Sequence, residues 1–115
     1  MNSQIDLSVV VPIFNEEESL PFLVQQLLDV MRPLGDSFEL VLVNDGSTDM
    51  SANVLRRLSE EVPELVAVLL RKNYGQTAAM AAGFDISLGE IVITLDGDLQ
   101  NDPADIPLHV SKLRD

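Results

Sequence analysis

The sequence contains no cysteine, one tyrosine and one histidine, and only 7 basic residues against 19 acidic ones. Without cysteine, disulfides, thiolate metal sites and a thiol nucleophile are excluded, which agrees with a reducing compartment. The shortage of bases leaves a formal net charge of −12. A surface so acidic repels the phosphate backbone of nucleic acids, so a DNA- or RNA-binding role is not expected. The same field repels a nucleoside diphosphate, so a phosphate ligand would need a cation or a local cluster of donors. Long apolar runs are missing too: Leu7 to Ile13 is among the longest and is far too short to span a bilayer. Met1-Asn2-Ser3-Gln4 lacks the basic start of a signal peptide. The reading is a soluble, cytoplasmic chain.

At 115 residues, 46% hydrophobic and 23% charged, the chain has ordinary globular composition and material for one modest core. Residues 1–115 are therefore expected to form one domain or part of one. Four apolar runs rich in Val, Ile and Leu recur at Leu7 to Ile13, Phe38 to Val43, Leu65 to Leu70 and Glu90 to Leu95. Such runs predict buried strands. Between them lie helical spacings: Leu20, Leu23, Val24, Leu27, Leu28 and Met31 on one face, then Val54, Leu55 and Leu58 on another. Ser19 and Pro21 suit a helix start, Asp49 or Ser51 the cap of the next helix, and Gly35-Asp36 and Gly89 suit stops. Alternating strand and helix implies an α/β fold with a mainly parallel sheet flanked by helices.

In a parallel sheet every strand-to-helix loop emerges at the same edge, where ligands bind. Three polar loops would converge there: Phe14-Asn15-Glu16-Glu17, Asn44 to Asp49, and Asp96-Gly97-Asp98-Leu99-Gln100. Asp96 and Asp98 stand two apart at the end of an apolar strand, so both carboxylates lean to one side and could share a hard cation. Mg²⁺ or Mn²⁺ suits such oxygen ligands and would bridge the acidic edge to a diphosphate. An isolated Asp-Gly-Asp is more simply a polar turn; the two further loops at the same edge favour a site. In the second loop Asp45, at the strand end, is the better ligand candidate and Asp49 the helix cap. In the first, Pro12 supplies a rigid kink, and Phe14 and Asn15 could meet a nucleobase, although Phe14 could equally be core. Glu17 and Glu18 suit a helix N-terminus through its dipole. Arg71-Lys72-Asn73-Tyr74-Gly75-Gln76 would either donate to phosphates or form a solvated basic turn, ahead of a small-residue helix around Ala78 to Gly83. His109 lies in a late amphipathic stretch and is read as a surface or packing residue.

Together, VVVPIFNEEESL, LVLVNDGSTD, RKNYGQTAAMAAG and ITLDGDLQNDP resemble glycosyltransferase family 2, whose fold is the Rossmann-like GT-A arrangement, across essentially the whole chain. DGDLQ followed by Asp102-Pro103 most resembles the branch that transfers a sugar to a polyprenyl phosphate. The resemblance implies that Pro12, Phe14, Asn15 and Glu16 line the nucleotide site with Val43 and Asp45. It implies that Asp96 and Gly97 contact the nucleotide-sugar, and that Asp98, which also borders the donor, holds the divalent metal with Gln100. The implied reaction is metal-dependent, inverting transfer of a hexose from a UDP-glucose or GDP-mannose type donor to a polyprenyl phosphate. No catalytic base is assigned, since an anionic acceptor needs none. A saccharide acceptor would need a carboxylate base from beyond Asp115. The chain would then be the N-terminal, donor-binding portion of a catalytic domain at the cytoplasmic face of a membrane, and a homo-oligomer is compatible with this.

Two alternatives differ in kind. A haloacid-dehalogenase-like phosphatase also opens with a strand ending in Asp-x-Asp, but expects a small Gly-Thr type continuation where Leu99-Gln100 stands. A non-catalytic nucleotide-binding module would keep the pocket and transfer nothing.

Overall fold

A computed structural model describes residues 5–95 and 103–114, apart from the side chains of Leu108, His109, Leu113 and Arg114. The described elements alternate as β1 (Leu7–Ile13), α1 (Leu20–Met31), β2 (Phe38–Asn44), α2 (Ser51–Glu61), β3 (Leu65–Leu69), α3 (Gln76–Ile86), β4 (Ile91–Thr94) and α4 (Ile106–Arg114). The strands form one sheet in the order β3-β2-β1-β4, and every pairing is parallel.

Period-two alternation splits the strand side chains between two apolar layers. Leu7, Val9, Val11 and Ile13 join Leu40, Leu42 and Ile93 beneath α1, α2 and α4, while Val10, Val41 and Val43 meet Ala79 of α3 on the opposite face. With both faces covered, β1 is buried along its whole length, which explains an apolar run interrupted only by Ser8. The six apolar residues predicted for one face of α1 are its buried residues. Burying a Leu or Val side chain contributes about 1.5–3 kcal/mol, so this stripe fixes the helix against the sheet.

α3 docks by a different device. Its small residues bring the backbone close, and a Cβ at Gly83 would stand 2.4 Å from Val10 Cγ1. At the opposite end of the sheet from the predicted site, the buried carboxylate of Glu39 accepts from Ser8 Oγ (2.6 Å) and Leu88 N (2.7 Å), and Ser8 Oγ accepts from Gly89 N (2.8 Å). This network ties the α3–β4 turn under the strand starts.

Several local expectations shift. Gly35, left-handed at φ 79°, closes the 3-10 turn that extends α1. Gly89 is not the α3 stop, since α3 ends at Ile86 with Ser87 as its cap; a Cβ at Gly89 would lie 2.6 Å from Ser8 N, so close packing demands glycine there. Ser19 stands at the start of α1 in a helical conformation and makes no capping bond; its hydroxyl donates to Glu16 Oε2 instead (2.7 Å).

Candidate functional site

The strand order reverses between β1 and β4: the chain steps from β1 to β2 to β3 in one direction, then returns to the other side of β1. In open α/β sheets, ligands bind in the crevice outside the carboxyl ends of the strands at such a reversal. Here a particular residue opens it. Asp45 N donates to Ile13 O (2.8 Å), and Leu95 N donates to Val10 O (3.1 Å). Main-chain polar groups alternate sides along a strand, so Ile13 addresses β2 and Val10 addresses β4. Pro12 therefore faces β4, and it has no N–H to donate. The described β1–β4 register ends at Val10–Thr94, whereas β1 pairs with β2 through Ile13–Asn44. β4 thus delivers the chain to the mouth of this crevice at Leu95. Asp96, Gly97, Asp98 and Gln100 come next in the sequence and lie outside the described residues, as does Asp102.

The first two loops are stitched together at this edge. Asn15 has a left-handed backbone (φ 53°), a conformation Asn tolerates better than most residues. Its Oδ1 accepts from Thr48 N (2.8 Å) and Asp49 N (3.3 Å), and its own N–H donates to Ser47 Oγ (2.9 Å). Ser47 Oγ in turn donates to Asn44 Oδ1. Glu16 N donates to Ser51 Oγ (2.9 Å), and Glu17 N donates to Asp49 Oδ2 (3.3 Å). Asp49 Oδ1 accepts from Ser51 N (2.9 Å), so its carboxylate serves the start of α2 and the neighbouring loop together. Burial alone would push the Asp49 carboxyl upward. The Ser51 hydroxyl and the backbone N–H groups of Ser51 and Glu17 outweigh that and hold it below its ordinary value.

The loops after β2 and β3 are joined through Asp45, which is 3% exposed. Its Oδ1 accepts from Tyr74 N (2.8 Å), and its Oδ2 accepts from Gly75 N (2.9 Å) and Asn73 Nδ2 (3.3 Å). Asn73 Nδ2 also reaches Asp45 O at 3.1 Å. Gly46 permits this approach: a Cβ there would sit 2.1 Å from the Lys72 carbonyl carbon. Arg71 and Lys72 remain exposed, and the Lys72 ammonium lies 5.4 Å from the centre of the Tyr74 ring.

The expected lining residues therefore separate by depth. Phe14 is 44% exposed, so it is not core, and Asn15 and Glu16 stand at the rim. Pro12 and Val43 lie one step inside, with Val43 packed in the α3-side layer. Asn15, Glu16, Glu17, Glu18, Ser19 and Asp49 surround an open cleft of ≈320 Å³. Its carboxylates would repel a diphosphate, so an anionic ligand at this rim needs a cation beside it. No group of three or more His, Cys, Asp or Glu residues able to hold a metal occurs among the described residues. The expected metal-holding pair, Asp98 and Gln100, falls outside them. Glu17 and Glu18 immediately precede the start of α1 and also line this cleft. Ser47 and Asn73 are structural members of the site that spacing did not single out, their only sequence signal being their place in polar loops after strands. Ser51, expected as a helix cap, also serves Glu16 N from the first position of α2.

The chain matches the Glycosyl transferase family 2 model over residues 8–115. The undecaprenyl-phosphate 4-deoxy-4-formamido-L-arabinose transferase of Pectobacterium carotovorum subsp. carotovorum is 50% identical over 104 residues, covering 89% of this chain and 32% of that protein. The protein of the same name from Pseudomonas paraeruginosa is 53% identical over 110 residues, covering 94% of this chain and 32% of its own length. The chain thus spans about a third of these curated relatives. Among solved structures, the mannosyltransferase PcManGT from Pyrobaculum calidifontis in complex with GDP-Man and Mn²⁺ superposes with a TM-score of 0.79 at 25% identity, covering 96% of this chain and 32% of that one. S. aureus TarS 1-349 in complex with UDP gives 0.77 at 23% identity, covering 96% and 32%. The α/β architecture with its parallel sheet is the one expected for GT-A.

Proposed function

The chain belongs to glycosyl transferase family 2, and on that premise we propose that it forms the donor-binding part of an enzyme that transfers a sugar from a nucleotide-activated donor to undecaprenyl phosphate. The observation that carries this reading is the crevice at the strand-order reversal, opened by Pro12 and walled by the stitched loops of Asn15 and Asp45. Phe14, Asn15 and Glu16 meet the nucleoside from the rim, Pro12 and Val43 support it from within, and Asp45 accepts from its base or ribose. Asp96 and Gly97 contact the nucleotide-sugar, while Asp98 and Gln100 hold Mg²⁺ or Mn²⁺. When bound, the divalent ion offsets the negative charge that develops on the departing nucleoside diphosphate. An oxygen of the acceptor phosphate attacks the anomeric carbon as the bond to the nucleoside diphosphate breaks, with inversion. The acceptor is already anionic, so no general base is required.

The sugar named for the relatives is a pentose derivative, 4-deoxy-4-formamido-L-arabinose. We take that class in place of the hexose that the motifs suggested. The lipid acceptor puts the reaction at a membrane surface, although no helix among the described residues is long and apolar enough to cross one.

Calorimetry of UDP- and GDP-sugars with and without Mn²⁺ tests the reading. Binding that requires the metal and is lost in Asp98→Ala is the expected result. Tight binding indifferent to metal removal overturns the metal assignment, and absence of binding by any nucleoside diphosphate overturns the donor site itself.

A further inference from the structure

Asn73 contributes the one side-chain donor among the described groups that hold Asp45; the others are the main-chain N–H groups of Tyr74 and Gly75. It grips two atoms of the same residue, the main-chain carbonyl at 3.1 Å and Oδ2 at 3.3 Å. Gly75 holds φ 104° and ψ 157°, a conformation open essentially to glycine, and this conformation accompanies the approach of its N–H to Oδ2. Gly46 meanwhile lies against the Lys72–Asn73 backbone, where a Cβ would find no room. The clasp is therefore fixed from both loops.

A carboxylate has about four acceptor positions, and the terminal torsion of an aspartate is broad when nothing restrains it. Here Oδ2 accepts two N–H groups and Oδ1 accepts one. Among the described residues, one acceptor position on Oδ1 is left, and its direction is set by the other three bonds. We propose that Asn73 is a positioning residue for nucleobase recognition: without touching the nucleotide, it fixes the plane of the Asp45 carboxylate and so decides which base presents an N–H to the remaining acceptor position. This rests on Asp45 facing the nucleoside, as read above. Asn73 thereby gives the RKNYG segment a role other than phosphate binding.

The test is a panel of UDP, CDP, GDP and ADP, with pyrophosphate as a baseless control, titrated in the presence of Mn²⁺ into the wild-type chain and Asn73→Ala. In Asn73→Ala, the preferred nucleotide is expected to weaken by roughly tenfold, the ratio to the next-best nucleotide should shrink, and pyrophosphate should bind as before. Amide exchange should quicken at Tyr74 and Gly75, whose bonds to Asp45 loosen. Equal loss for every ligand including pyrophosphate, or no change in the nucleotide ratio, overturns the proposal. A wild-type chain that binds pyrophosphate but distinguishes no base also overturns it, with the diphosphate site intact; one that binds none of the panel overturns the donor reading and this inference with it. Should Asn73→Ala lose its fold by circular dichroism, Asn73→Ser, which keeps a donor on a shorter arm, is measured by the same ratio.

Discussion

Gly46→Ala is expected to cost far more than a methyl group on a loop normally does. Gly46 has φ +66°, and a left-handed conformation costs a residue with a side chain about 1–2 kcal/mol. The second contribution is steric. The new Cβ would lie 2.1 Å from the Lys72 carbonyl carbon and 2.2 Å from Asn73 N, and both obstacles are backbone, so no rotamer change relieves them. The Lys72–Asn73 segment must retreat by about 1.3 Å, from 2.1 to 3.4 Å, to reach ordinary contact. That movement pulls the Tyr74 and Gly75 N–H groups off the Asp45 carboxylate, where they now sit at 2.8 and 2.9 Å. Hydrogen bonds to a charged group contribute about 1.5–3 kcal/mol each. Allowing for partial relaxation, the loss should total about 3–5 kcal/mol, a large share of the roughly 5–15 kcal/mol that stabilises a domain. Gly35→Ala is the control: its φ is +79° but nothing lies within 4 Å, so only the backbone penalty applies. Urea unfolding followed by far-ultraviolet circular dichroism gives both values from the midpoint at constant m. If Gly46→Ala falls within about 1 kcal/mol of Gly35→Ala, the loops are not in the contact described and the reasoning fails.

Two further substitutions probe the stitching of the first and second loops. Asn15→Ala loses the acceptor for Thr48 N and Asp49 N and leaves an alanine at φ 53°, whereas Asn15→Gly loses the acceptor alone. Asn15→Gly should therefore remain about 1 kcal/mol more stable than Asn15→Ala, and equal unfolding midpoints would show that the left-handed backbone carries no strain. For Asp49, the folded carboxyl is held below its unfolded value of about 3.9. The unfolded chain takes up the proton first, so this contribution is present above that value and disappears as the pH falls through the lower, folded one. In stability measured between pH 5 and pH 2, Asp49→Asn should show a shallower acid decline than the wild type, and parallel curves would refute the assignment.

The strands and α1 were legible because their signals are local and periodic. The β1 run reads as a strand buried on both faces, and the α1 stripe Leu20, Leu23, Val24, Leu27, Leu28 and Met31 reads as one helix face, without knowledge of their partners. The site was legible only as a gathering of loops. Its internal bonds join residues about 30 positions apart, such as Asn15 to Thr48 and Asn73 to Asp45, and no spacing rule pairs them. Glu39 shows the same limit: a carboxylate inside a strand run gave no sign of its burial, because the hydroxyl and N–H that satisfy it come from Ser8 and Leu88. Ser19 does stand at the start of α1 as its residue type suggested, but the partner of its hydroxyl, Glu16, was not legible from residue type alone.

Sheet order also bears on the two readings of Arg71 and Lys72. They follow β3, at the far edge of the sheet from β4, and the order β3-β2-β1-β4 sets three strand intervals between the two. At about 4.8 Å per interval, the strand ends stand roughly 14 Å apart. A diphosphate held by a metal where the chain leaves β4 would lie beyond the ordinary reach of a cation on the β3 loop. The loop is instead fastened to Asp45, just after β2, and Lys72 rests over Tyr74. On the proposed reading the nucleoside lies over the loops after β1, β2 and β3, and its phosphates point toward β4. The rim of Glu16, Glu17 and Asp49 adds negative charge and no basic side chain, so on that reading the counter-charge to the phosphates would be the proposed divalent cation.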